Sequence, residues 1–186
     1  MKLIKIVIFL LITFNTPIKA NSSNDLQRIL NEGGKLIFIR HAYAPGKGDP
    51  ENFDIMNCAT QRNLNKSGIV QSKNIGKVLL KSNEEHYKVL SSEWCRCKQT
   101  AEYAFKNYVT KSFLNSFFRQ KFADNKSKQI KELKKYIKKW DEKKNLIFVT
   151  HYVVILEILN LPVSSGEIVV TDKNFNVLVR QTTESK

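Results

Sequence analysis

Residues 36–41 read LIFIRH and residues 146–151 read LIFVTH. Each is a short apolar run that stops on a histidine, the pattern of a parallel strand covered on both faces. Ligands of open α/β sheets bind outside the carboxyl ends of the strands, so the two runs would place His41 and His151 on one rim. A third run, VLSS at 89–92, leads into WCRCKQTAEYAF at 94–105, which reads as a helix with Ser92 near its start and Arg96 in its first turn. Arg40 precedes His41 directly. One histidine alone reads equally well as a core residue, but two at equivalent strand ends beside two arginines point to a site. Arginine forks and a helix amino terminus both suit a dianionic phosphoryl group.

Outward from these runs, strands alternate with helices. DLQRIL at 25–30 reads as a helix capped by Asn24 and stopped at Gly33-Gly34. Residues 42–64, with two prolines and two glycines, read as a loop, and long loops inside compact domains are usually functional. Residues 65–80 suggest a helix weakened by Gly68 and Gly76. Residues 109–122 give no clear period. From Lys126 to Trp140, Ile130, Leu133, Ile137 and Trp140 recur at helical spacing among lysines. VVILEIL at 153–159 reads as a buried helix ending near Asn160 and Pro162, and EIVVTD and NVLVRQ as a closing hairpin turning at Lys173 and Asn174. The fold class expected is α/β, a three-layer α/β/α sandwich with a mostly parallel central sheet.

The 186 residues suffice for a single domain. Residues 1–20 read as a signal peptide, with Lys2 and Lys5 before the apolar run IVIFLLITF, a breaker at Pro17 and a small residue at Ala20. The domain expected is therefore 21–186, exported to the periplasm or secreted. The run is too short to span a bilayer, so no stable membrane span is expected once the leader is cleaved; an uncleaved anchor is the alternative. Cleavage removes three lysines and no acid, taking the formal charge from +14 to +11. That excess favours anionic partners. The lysine-rich helix reads as a solvated face, because arginine and glycine are not interleaved as nucleic-acid readers require, and nucleic acid is not an expected partner. His86, in the charged stretch NEEHYK, reads as a surface residue.

The three cysteines are Cys58, Cys95 and Cys97. In an exported chain the simplest count is one disulfide and one free thiol. Cys95 and Cys97 face different ways on a helix, so only one readily meets Cys58, and Cys58 with Cys95 is the pairing favoured. A CxC with one remote cysteine falls short of zinc-site spacing, and no metal is expected.

Taken together, Arg40-His41-Ala42, then Arg62, Leu64 and Gly68, then Ser91, Ser92, Arg96, Gln99, Thr100 and Ala101, then Thr150-His151 resemble the histidine phosphatase superfamily, whose fold is that of the phosphoglycerate mutases. The resemblance runs from about Lys35 to Arg180, and GDPENF, CATQRNL and LNSFF further resemble a small exported branch of it. It implies that His41 attacks phosphorus and becomes a phosphohistidine that water hydrolyses. A hydrogen bond from the other ring nitrogen to a backbone carbonyl would fix the reactive tautomer. Arg40, Arg62 and Arg96 would bind the phosphoryl oxygens, His151 would donate to them, and no cofactor is implied.

The sequence departs from that pattern at Leu114-Asn115-Ser116, where mutase-like members carry a glutamate after Leu-Asn as general acid. Asp49, Asp124 and Glu93, in that order, are the candidates to replace it. Without such an acid, good leaving groups are favoured and mutase activity is not expected. The function expected is hydrolysis of a small phosphorylated substrate, such as a sugar phosphate, or of a phosphorylated envelope component. The alternatives are a catalytically weak phosphate- or polyanion-binding protein and a phosphohistidine phosphatase.

Overall fold

The computed structural model describes residues 23–81 and 87–185. The leader expected at 1–20 and His86 therefore lie outside the described residues. Chain order is α1 (Ser23–Asn31), β1 (Leu36–Arg40), α2 (Lys66–Leu79), β2 (Tyr87–Ser91), α3 (Cys95–Phe105), β3 (Val109–Thr110), α4 (Gln120–Ala123), α5 (Asn125–Lys138), β4 (Asn145–Thr150), α6 (Tyr152–Leu159), β5 (Ile168–Thr171) and β6 (Val177–Gln181). The strands form a sheet in the order β3-β2-β4-β1-β5-β6. Pairings from β3 to β1 are parallel, and β5 and β6 add an antiparallel edge.

At the centre, β1 and β4 pair letter for letter, Leu36 opposite Leu146 through Arg40 opposite Thr150. Alternation along each strand then feeds two cores. Ile37, Ile39, Ile147 and Val149 pack against α1, α2 and α3, through Leu30, Leu79 and Ala101 among others. Leu36, Phe38, Leu146 and Phe148 pack against α5 and α6, through Leu133, Ile137 and Val154. Because both of their faces are covered, β1 and β4 are apolar along most of their length, and the result is the three-layer sandwich. Phe38 and Phe148 stack with ring centroids 5.1 Å apart, so the repeated motif is also a packing pair.

Local signals account for most boundaries. Gly33 and Gly34 both take positive φ (69° and 64°), where a side chain would be strained, and end α1. Asn65 accepts from the Gly68 amide and caps α2. Asn160 adopts the left-handed conformation and stops α6. The lysine-rich helix ends at Lys138, two residues before Trp140, which packs on the core beyond it. Gly68 and Gly76, read as weak points of α2, are close-packing points: a Cβ would collide with the carbonyl oxygens of Tyr43 and Ala104 respectively. No helix among the described residues is long and apolar enough to cross a membrane.

Candidate active site

Since β1 and β4 run parallel in register, the residues after them emerge side by side. The His41 amide donates to the Thr150 carbonyl (2.9 Å), and the His41 and His151 rings lie 5.5 Å apart. Both are buried. Arg96, in the first turn of α3, reaches both: its Nε donates to His41 Nε2 (3.1 Å) and its Nη2 lies 3.4 Å from His151 Nδ1. His41 Nδ1 lies 2.9 Å from the Ala42 carbonyl, which can only accept, so Nδ1 carries the proton and Nε2 the lone pair. Burial first, and the neighbouring Arg96 guanidinium next, hold the His41 imidazole well below its ordinary pKa. His151 is lowered for the same two reasons.

A hydrogen-bond chain runs back from His151. With Arg96 at Nδ1, the His151 proton sits on Nε2 and is donated to Ser92 Oγ (2.9 Å). Ser92 donates to Asn115 Oδ1 (2.9 Å), and Asn115 Nδ2 donates to Glu93 Oε2 (2.6 Å). Other letters of the motif act as latches. The Thr100 hydroxyl accepts from the Ala42 amide (3.0 Å) and Gln99 Oε1 from the Leu64 amide (3.0 Å), pinning the segments that carry His41 and Arg62 to α3. Cys58 and Cys95 form a disulfide with Cα atoms 5.7 Å apart, tying the loop before Arg62 to the residue before Arg96. Cys97 is free and buried, its thiol pushed up to about 12 chiefly by burial.

Arg40 and Arg62 complete a cationic floor. Arg40 Nη1 donates to the Val163 carbonyl (2.9 Å), and Arg62 Nη1 donates to the carbonyls of Ala44 (3.1 Å) and Gly46 (2.6 Å). The Nε atoms of both arginines are buried without a hydrogen-bond partner. Such orphan donors are costly, and an anion with several acceptor oxygens is the group that satisfies them. A cavity of about 360 Å³ opens over this floor, lined by Arg40, His41, Arg62, Arg96 and His151 and walled by Ser116, Phe118, Arg119, Phe122 and Tyr152. The amino termini of α3 and α6 lie at Arg96 and His151, adding favourable dipole charge for an anion.

The candidate acids fall in different places. Asp49 lines the cavity, but its Oδ1 accepts from Arg96 Nη1 (2.7 Å) and from the Arg62 amide (3.0 Å). Glu93 is half-buried at the far end of the His151 chain and does not line the cavity. Asp124 is exposed in a separate surface groove beside Lys126. Ser116, at the position where mutase-like proteins carry the acid, is on the cavity wall. Among the described residues no cluster of three His, Cys, Asp or Glu side chains is placed to hold a metal ion. The sequence reading missed Phe118, Arg119, Phe122 and Tyr152 as cavity residues. Three of them fall in the aperiodic 109–122 segment, where the signals were the LNSFF motif at 114–118, which contains Phe118, and position after Leu114-Asn115-Ser116.

No family model and no curated protein matches the sequence, whereas many solved structures match the fold. The protein histidine phosphatase SixA complexed with tungstate aligns at 14% identity and a TM-score of 0.56, over 81% of this chain and 97% of its own. The chain has the histidine phosphatase fold. The alpha-ribazole phosphatase from Shigella flexneri aligns at 16% identity and a TM-score of 0.52, over 82% of this chain and 96% of its own. A mycobacterial glucosyl-3-phosphoglycerate phosphatase aligns at 14% identity and a TM-score of 0.51, over 80% and 96%. In the histidine phosphatase fold of this chain, the sheet's carboxyl rim is where His41, His151 and the three arginines meet.

Proposed function

We propose that this chain is a phosphatase that hydrolyses phosphomonoesters through a phosphohistidine on His41. The observation that carries the proposal is the proton-free Nε2 of His41, directed at the buried Arg96, in a floor completed by the half-buried Arg40 and Arg62. Once Arg96 Nε turns from His41 to a phosphoryl oxygen, the freed Nε2 lone pair attacks phosphorus, and the bond to the ester oxygen breaks with its electron pair leaving on that oxygen. Arg40, Arg62 and Arg96 hold the phosphoryl oxygens as charge redistributes, and His151 Nδ1 takes the proton of the bound phosphoryl monoanion and donates it back to those oxygens. Water then attacks phosphorus, the N–P bond returns its pair to Nε2, and inorganic phosphate departs.

Leaving-group assistance is the weak element of this site. Asp49 holds Arg96 and the Arg62 amide rather than standing free to donate, and Ser116 cannot protonate an alkoxide well. Leaving groups stable as anions are therefore favoured. A phosphohistidine, whose imidazole leaves as a neutral ring with no added acid, fits the same site, and SixA is itself a protein histidine phosphatase.

Residues 1–20 act as an export leader in this proposal, delivering the domain to the periplasm or outside the cell. The disulfide between Cys58 and Cys95 supports an oxidising compartment. The experiment is a phosphoester panel assayed with mature protein beside His41→Ala. Turnover by the wild type alone supports the enzyme; phosphate binding without turnover by either protein supports a binding module.

A further inference from the structure

The cavity has a wall that phosphate chemistry does not use. Its floor is buried, with His41, His151 and Arg96 only 3–4% exposed, whereas Phe118 on the wall is 73% exposed. A single exposed phenylalanine needs no explanation, but this one shares the cavity wall with other apolar side chains. Phe122 and Tyr152, both half-buried, share the wall.

In-line attack by a floor nucleophile decides what meets that wall. The ester oxygen departs on the side of phosphorus opposite His41 Nε2, which is the side of the mouth, so the group attached to it lies against Phe118, Phe122 and Tyr152. We infer that these side chains form a leaving-group subsite for an aromatic ring, making phosphate esters of phenols the substrate class. The inference rests on the phosphatase reading for its orientation.

Two further features distinguish an aryl group from a sugar. Sugar hydroxyls are held best by amide and carboxylate partners, and among the described residues the one carboxylate lining the cavity, Asp49, is held by Arg96 and the Arg62 amide. The absence of a free acid matters in the same direction: a phenol, with a pKa of about 10, leaves as its anion without a proton, and an alkoxide does not.

The test compares phenylphosphonate with methylphosphonate, neither of which can be hydrolysed, by calorimetric titration of wild type, Phe118→Ala and Phe118→Tyr. The subsite predicts that phenylphosphonate binds wild type about tenfold more tightly, as an added ring-stacking contact gives. Phe118→Ala should close that gap to about twofold with methylphosphonate affinity unchanged, and Phe118→Tyr should restore it. Equal affinity of the two ligands for wild type, a gap that survives Phe118→Ala, or tighter binding of a hexose 6-phosphate than of phenylphosphonate overturns the inference. These readouts need no turnover. A failed phosphatase reading would show itself separately, as wild type no more active than His41→Ala on acetyl phosphate, a good but non-aromatic leaving group.

Discussion

Arg96 Nε donates to His41 Nε2 across 3.1 Å, so the lone pair proposed to attack phosphorus is held free of a proton in the resting site. The same guanidinium disfavours protonation electrostatically, after burial the largest cause of the depressed His41 pKa. Activity that requires neutral His41 should thus stay level from neutral pH to well below 6.5, the ordinary value, before falling. Replacing Arg96 with glutamine removes the cation, raises the His41 midpoint, and should move the acid limb of kcat/KM toward neutrality as well as lowering its plateau. A pH–rate profile of the two proteins checks both effects.

The buried histidines also predict a stability profile. Their folded pKa values lie below the unfolded value, so above about pH 6.5 both states are neutral and the full stability is present. As pH falls from 6.5 through the folded values, the unfolded chain binds protons that the native site refuses, and stability is lost. The slope for two such groups is at most about 2.7 kcal/mol per pH unit. Denaturant unfolding at a series of pH values measures it, and His41→Gln should reduce the slope.

The disulfide between Cys58 and Cys95 closes a sequence separation of 37 residues and anchors the start of α3. Replacing both cysteines with serine should cost about 2 to 4 kcal/mol in unfolding free energy. Thiol titration without reductant should find no reactive thiol in the native protein and one after denaturation, because Cys97 is buried with its thiol pushed up to about 12.

Much of this arrangement was legible in the sequence because it rests on short-range pattern. Two near-identical apolar runs ending in histidine encode adjacent, in-register strands, and the Arg96 helix follows a third strand. What escaped has a different physical origin. Gly68 and Gly76 were judged by helix propensity, whereas tertiary contact with Tyr43 and Ala104 decides those positions. Gln71, on the same helix, is buried because its amide joins three distant segments, through the Tyr43 amide and the carbonyls of Ser165 and Thr183. Phe118, Arg119 and Phe122 lie in a segment without long regular structure, so no periodicity marks which side chains face the cavity.

Ser92 links His151 to Asn115 and, through it, to Glu93. Ser92→Ala leaves His151 Nε2–H without that partner and frees the ring to turn. The cost of one buried hydrogen bond, about 1.4 kcal/mol, corresponds to roughly a tenfold loss in kcat. Ser92→Thr, which keeps the hydroxyl, should retain more activity than alanine. Steady-state kinetics on the two variants distinguish these outcomes.

The central claim is that His41 carries the phosphoryl group. Rapid acid-free quench with labelled phosphoester, followed by peptide mapping under alkaline conditions, tests it most directly. The account predicts a base-stable, acid-labile phosphate on His41, absent from His41→Ala along with turnover. Turnover that survives His41→Ala, or a trapped phosphate on Ser91, Ser92 or Cys97, would contradict it.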